Sequence, residues 1–147
     1  MSTGARHSVS VSAIVVDEGG RVLVTQRREN GHWEAPGGVL ELDESIQDGT
    51  VREVAEETGL TVALDRLTGV YKNMERGIVA LVFRAHVVGG TAHSTDEAGR
   101  LEWWTPEQVM QRMDEAYAVR VLDALKLGNP TIRAHDGVHL VSARHGG

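Results

Sequence analysis

The sequence predicts an α/β (α+β) fold, a mixed β-sheet with helices packed against it. Three observations carry that expectation: alternating valines early in the chain, an acidic helix behind a glycine-rich loop, and two long β-rich runs after it. In residues 8–17, Val9, Val11, Ala13 and Val15 occupy alternate positions, the period of a strand. Asp17-Glu18-Gly19-Gly20 is a turn, after which residues 21–27 return as a second strand. Residues 29–38 read as irregular, because Pro36-Gly37-Gly38 excludes regular structure. Asp43 is placed to cap a helix over residues 44–58, with Gly59 as its stop. Residues 61–74 and 77–88 are β-rich, hinged at Glu75-Arg76-Gly77. A loop over 89–99, a short strand over 100–104 and a helix opened by Thr105-Pro106-Glu107 follow. A helix over 117–127 and strands within 131–142 complete the order, which lacks the regular alternation of a doubly wound fold.

The length of 147 residues predicts a single domain spanning 1–147. The absence of cysteine excludes a disulfide scaffold, a thiolate zinc site and a cysteine nucleophile. The apolar run over residues 9–16 is too short to span a bilayer and lacks the layout of a secretory signal, so a cytoplasmic protein without membrane contact is expected. The net charge of −6 is concentrated. Residues 38–60 hold seven acids and one base, Arg52, leaving 14 acids and 14 bases elsewhere. An acidic balance disfavours a nucleic-acid polymer as partner. A local acidic block raises the question of which cation it serves.

Winding residues 44–58 at about 100° per residue stacks Glu53, Glu56 and Glu57, while Thr50, Val51, Val54, Ala55 and Thr58 form a separate face suited to burial. Glu53 and Glu57 repel at i, i+4, and no lysine lies nearby in sequence. A solvated acidic face is one reading. Coordination of a hard cation with oxygen ligands, above all Mg²⁺, is the other. Just upstream, Gly37 and Gly38 allow close backbone approach to a ligand, and a loop entering a helix suits a phosphate. Gly49 sits on the carboxylate side of the helix, where alanine is cheaper by ~1 kcal/mol, so crowding near a metal is one account of it.

Gly38, Glu44, Arg52, Glu53, Glu56, Glu57 and Gly59, with aliphatic Val54 and Leu60, resemble the Nudix box, G-x5-E-x7-R-E-U-x-E-E-x-G-U, over residues 38–60. All nine specified positions match. The resemblance implies the Nudix α/β/α sandwich and hydrolysis of a nucleoside diphosphate linked to another group, with Mg²⁺ or Mn²⁺. It implies that Glu53, Glu56 and Glu57 hold or neighbour the metals, that the Gly38 carbonyl adds a ligand, and that Arg52 and Glu44 aim the glutamates. Family members differ in whether the base lies in the box or on a later loop; here the loop candidates are Glu97, which we favour as base and metal neighbour, and Glu102.

The subfamily motifs of NADH and coenzyme A hydrolases are absent, and so is the later proline of many ADP-ribose hydrolases. A nucleoside triphosphate, including oxidised or non-standard ones, is therefore the first expected substrate. ADP-ribose or a nucleotide sugar is the alternative, as is a non-catalytic nucleotide sensor of the same fold. The type I isopentenyl-diphosphate isomerase of this fold uses a cysteine, which this chain lacks. A homodimer is a further expectation from the family. Arg27 is a candidate for substrate phosphate, and Gly37 and Gly38 for the loop that cradles it. Tyr71, Trp33, Trp103 and Trp104 are candidates either for stacking on a base or for core packing, with Tyr71 taken as a substrate residue. Asp136-Gly137 between His135 and His139 argues against a helical metal site there.

Overall fold

Side chains of the first strand divide between two cores, and this places the strand in the middle of a sheet with a helix on either face. In a computed structural model, which describes residues 4–96 and 98–142, β1 (Ser8–Val15) directs Ala13 and Val15 toward one core and Ile14 toward the other. The first core joins Leu23, Leu60, Val62 and Ala85 to Val54 of helix α1 (Ile46–Thr58). The second gathers Tyr71, Val82, Trp104 and Val109 around Ala118, Val121 and Ala124 of the last helix. Burial of such apolar faces is the main force holding the layers together.

The remaining elements are β2 (Val22–Arg27), β3 (Trp33–Glu34), β4 (Gly37–Val39), β5 (Leu60–Asn73), β6 (Ile78–Gly90), β7 (Ala98–Trp104), α2 (Pro106–Arg112), α3 (Glu115–Leu125), β8 (Thr131–His135) and β9 (Leu140–Val141). The six-stranded sheet has the order β4-β1-β6-β5-β8-β9 and is mixed: β1 runs parallel to β6, and β5 to β8. An antiparallel sheet of order β3-β2-β7 lies beside it. Among the described residues, no helix is long and apolar enough to cross a membrane.

Several expectations change. The strand after the first turn does not return alongside β1; one bridge, Val16 to Val22, is made before β2 leaves for the second sheet. Residues 29–38 are not wholly irregular, since Trp33 and Glu34 pair with Gln26 and Thr25, and residues 37–39 pair with Ser12, Val11 and Ser10. Partners distant in sequence supply those hydrogen bonds, which local propensity does not reveal. At Gly37 a Cβ would collide with the Val11 carbonyl, so this pairing requires glycine. The helix is capped by Ser45, whose hydroxyl accepts from the Asp48 N–H at 3.1 Å, and not by Asp43. Gly59 does stop it, in the left-handed conformation at φ 78°. Ala55 is exposed, so the buried face is narrower than expected. Thr105 and Gln108 form a reciprocal capping box at the start of α2, with Pro106 in the first turn.

Candidate active site

Helix α1 presents Arg52, Glu53, Glu56 and Glu57 within two turns, and β4 lies against it at Glu53 and Glu57. The Arg52 guanidinium organises this face. Its Nε and Nη2 donate to the two Glu44 carboxylate oxygens at 2.8 and 2.7 Å, and its Nη1 donates to both Glu53 and Glu56 at 3.0 Å. One planar fork thus draws three carboxylates together. The Arg52 bond, followed by the Glu41 backbone N–H, lowers the Glu44 pKa to about 2. Reciprocally, the carboxylates raise the pKa of Arg52, Glu44 foremost.

The glutamates then divide. A Cβ at Gly38 would strike the Glu53 carboxylate, so that carboxylate lies directly against the β4 backbone. Glu57 is 6% exposed, and its Oε2 accepts the Gly37 N–H at 2.9 Å. Both line a cleft of about 660 Å³ that Gly37 and Gly38 also border. The Glu56 side chain is 60% exposed and turned to Arg52, away from that wall. Among the described residues, no group of three carboxylates or imidazoles is gathered closely enough to hold an ion as it stands. The donor chemistry nevertheless fits a hard cation. Two carboxylates and a glycine backbone with no side chain in the way meet at one wall of the cleft.

Arg27 lines the same cleft, with Nη1 2.9 Å from Glu34 Oε1. Arg28 lines it too, and its Nε donates to the Thr95 carbonyl at 3.0 Å, tying down the segment that leads to Glu97. Glu97 lies outside the described residues; its neighbour Asp96 borders the cleft. Glu102 is engaged elsewhere, accepting the Trp104 indole N–H at 2.7 Å and pairing with Arg100 at 3.0 Å. Tyr71 requires correction as a substrate residue. It is fully buried, with its hydroxyl donating to Asp123 at 2.7 Å, and offers no ring face for a base to stack on. Trp33 and Trp104 are also buried, 4.7 Å apart ring to ring. Gly49 is crowded by Leu40 and Glu44 and not by the cleft carboxylates.

The cleft contains residues that sequence reasoning passed over: Glu34, Asn73, Tyr117 and Arg120. For Arg120 the one signal is a charge set among apolar residues of α3.

A family model described as NUDIX domain matches residues 6–125. The chain is 56% identical over 137 residues to a MutT-like protein of Streptomyces ambofaciens, a match covering 93% of this chain and 89% of that one. It is 31% identical over 97 residues to an ADP-ribose pyrophosphatase of Methanocaldococcus jannaschii, covering 61% of this chain and 57% of the relative. Among solved structures, a MutT protein from Methanosarcina mazei superposes with a TM-score of 0.71 at 28% identity, covering 82% of this chain and 94% of that one.

Proposed function

The chain belongs to the Nudix family of hydrolases, which generally use divalent metal ions and act on small nucleotide substrates, and we propose that it cleaves a pyrophosphate bond in a nucleoside triphosphate. The observation that carries this reading is the wall shared by α1 and β4, where the Glu53 and Glu57 carboxylates meet the Gly37-Gly38 backbone. Glu53, Glu57 and the Gly38 carbonyl would hold Mg²⁺, or Mn²⁺ in its place, with Glu56 one turn away on Arg52. When bound, such an ion polarises phosphoryl oxygens and lowers the pKa of water. Arg52 and Glu44 are positioning residues, fixing the carboxylate that faces Gly38. Arg27, Arg28, Arg76 and Arg120 supply positive charge along the cleft, which suits a polyanionic substrate. Glu97, next to cleft-lining Asp96, is our candidate for the base that takes the proton of the attacking water.

The ADP-ribose pyrophosphatase among the relatives supports a second reading, a nucleoside diphosphate sugar. One experiment addresses the reaction, the metal and the substrate class. Nucleoside triphosphates and ADP-ribose are incubated with chelator-treated protein, then with millimolar Mg²⁺ or Mn²⁺, and released phosphate, pyrophosphate and nucleotide are measured. Activity should be absent in chelator, return with the metal and be greatest on a triphosphate. Glu57→Gln should lower kcat by at least ~10²-fold. Full turnover without metal, or an unaffected Glu57→Gln, would refute the assignment of the wall.

A further inference from the structure

The end of the cleft remote from Glu53 is lined by hydrogen-bond donors. Asn73 spends its Oδ1 on the backbone N–H groups of Glu75 and Arg76, at 3.0 and 3.1 Å, and this leaves the Nδ2 donors. His135 Nδ1 accepts the Gly137 N–H at 2.9 Å. Burial, and then the charge of Arg120, lower the His135 pKa, so the ring is neutral near pH 7 and carries one proton between its two nitrogens. Arg120 Nη2 lies 3.1 Å from His135 Nε2, so each ring nitrogen faces an N–H donor. A neutral imidazole can accept from Gly137 or from Arg120, but not from both.

Other arginines of the molecule show what is missing. Arg52 on Glu44 and Arg133 on Asp123 each commit Nε and Nη2 to the two oxygens of one carboxylate. The Arg120 guanidinium lies over the Tyr71 and Tyr117 rings at 5.1 and 4.7 Å, with its Nε shut off from solvent and, among the described residues, without a hydrogen-bond partner. Among the described residues, no carboxylate comes within 4.0 Å of it. A desolvated guanidinium with an unpaired N–H is costly, and a ligand that brings acceptors relieves that cost.

Position identifies which part of a substrate reaches it. Asn73 on β5 and His135 on β8 are paired, whereas Gly38 is on β4, three spacings from β5 and four from β8 in the six-stranded sheet. At ~4.8 Å per spacing the two ends of the cleft are about 14–19 Å apart. A nucleotide with its reacting phosphates at Gly38 directs its nucleoside toward Arg120.

We propose that Arg120 and Asn73 read the base, selecting one that bears a carbonyl acceptor at C6 or C4 (guanine, hypoxanthine, uracil) over one with an amino group there (adenine, cytosine). The inference rests on the pyrophosphohydrolase reading given above. Arginine meets the paired O6 and N7 acceptors of guanine with two donors, whereas an exocyclic amino group opposes it with hydrogens of its own. A second phosphate group would also offer only acceptors, but the phosphates are assigned to the Gly38 end.

The test uses the full chain with Mg²⁺, comparing kcat/KM for GTP and UTP against ATP and CTP in wild type, Arg120→Met and Asn73→Asp. Methionine keeps an apolar chain over the tyrosine rings, and aspartate keeps the Oδ acceptor of the turn while removing the Nδ2 donors. Wild type should favour the carbonyl-bearing bases by about ten-fold or more, and both variants should close that ratio, chiefly by losing GTP and UTP turnover. GMP and AMP are titrated into the metal-free wild type and variants by calorimetry. If no nucleotide is hydrolysed, the catalytic reading fails while the GMP-over-AMP contrast still decides this inference. Absence of that contrast in wild type, including no binding of either, overturns it. So does a contrast that survives in either folded variant. Equal loss for all four triphosphates, accompanied by weaker binding of inorganic pyrophosphate, would make Arg120 a phosphate ligand and refute base reading.

Discussion

A methyl group at position 49 would lie 2.5 Å from Leu40 Cδ1 and 2.7 Å from Glu44 Oε1. Leu40 can swing aside, but Glu44 is held at both oxygens by Arg52. Gly49→Ala should therefore lose more by crowding, about 1–3 kcal/mol, than the ~1 kcal/mol it gains in helix propensity. A lower denaturation midpoint is expected, with reduced kcat because the Arg52 clasp is displaced; a raised midpoint would show that Glu44 moves freely. Glu44 also makes stability depend on acid. Its pKa falls from 4.5 to about 2 in the folded chain, so the contribution is complete above pH 4.5 and is lost as the pH drops toward 2. Glu44→Gln should flatten the unfolding curve within that window and leave its slope at neutral pH unchanged, as followed by circular dichroism. At this scale the sequence was legible where helical spacing alone sets a relation, as with Glu53 and Glu56, which lie close enough to share one Arg52 nitrogen. It misled at Tyr71, because an aromatic in a strand carries no mark of which layer will cover it. Arg120 was illegible because its unmet donors arise only when β8 brings His135 across from elsewhere in the chain.

At the scale of elements, α1 begins where a hydroxyl closes its first turn. Ser45→Ala should cost about 1 kcal/mol in denaturant unfolding, whereas Asp43→Ala, at an exposed position, should stay within ~0.5 kcal/mol. The opposite order would return the cap to Asp43. Both residue types cap well, so composition could not choose between them; the extended backbone of Ser45, at φ −70° and ψ 160°, does. The long strands β5 and β6 were visible as β-rich runs because each is long enough to show its pattern. β3 and β4 are two and three residues long, and no periodicity survives at that length. They exist because Thr25, Gln26 and residues 10–12 offer unpaired backbone, which is a tertiary fact.

For the whole molecule, a mixed sheet with helices packed on it was readable from the order of elements and the helix–sheet–helix layering was implied by the Nudix resemblance, but the partition into two sheets was not legible, since it depends on where β2 finds its partners. The cleft uses residues from both sheets, from α1 and from α3, so a ligand seated there couples elements that otherwise meet through the cores. Mg²⁺ together with a non-hydrolysable nucleotide should therefore stabilise the entire fold, by ~2.7 kcal/mol at a concentration one hundred times Kd, read as a rise in Tm. Gly38→Ala, which drives a methyl into the Glu53 carboxylate, should abolish most of that rise. An undiminished shift in the variant would place the ligand elsewhere.

The borders of the larger sheet have a consequence for how copies of the chain meet one another in a crowded solution. It ends in β4, three residues long, on one side and in β9, two residues long, on the other. A foreign strand adding to either border would find only a few residues to zip against, and on the β4 side two of those three are glycines, which are poor partners for strand addition. The short glycine strand that leaves room for the Glu53 carboxylate thus also blunts the sheet against runaway self-association.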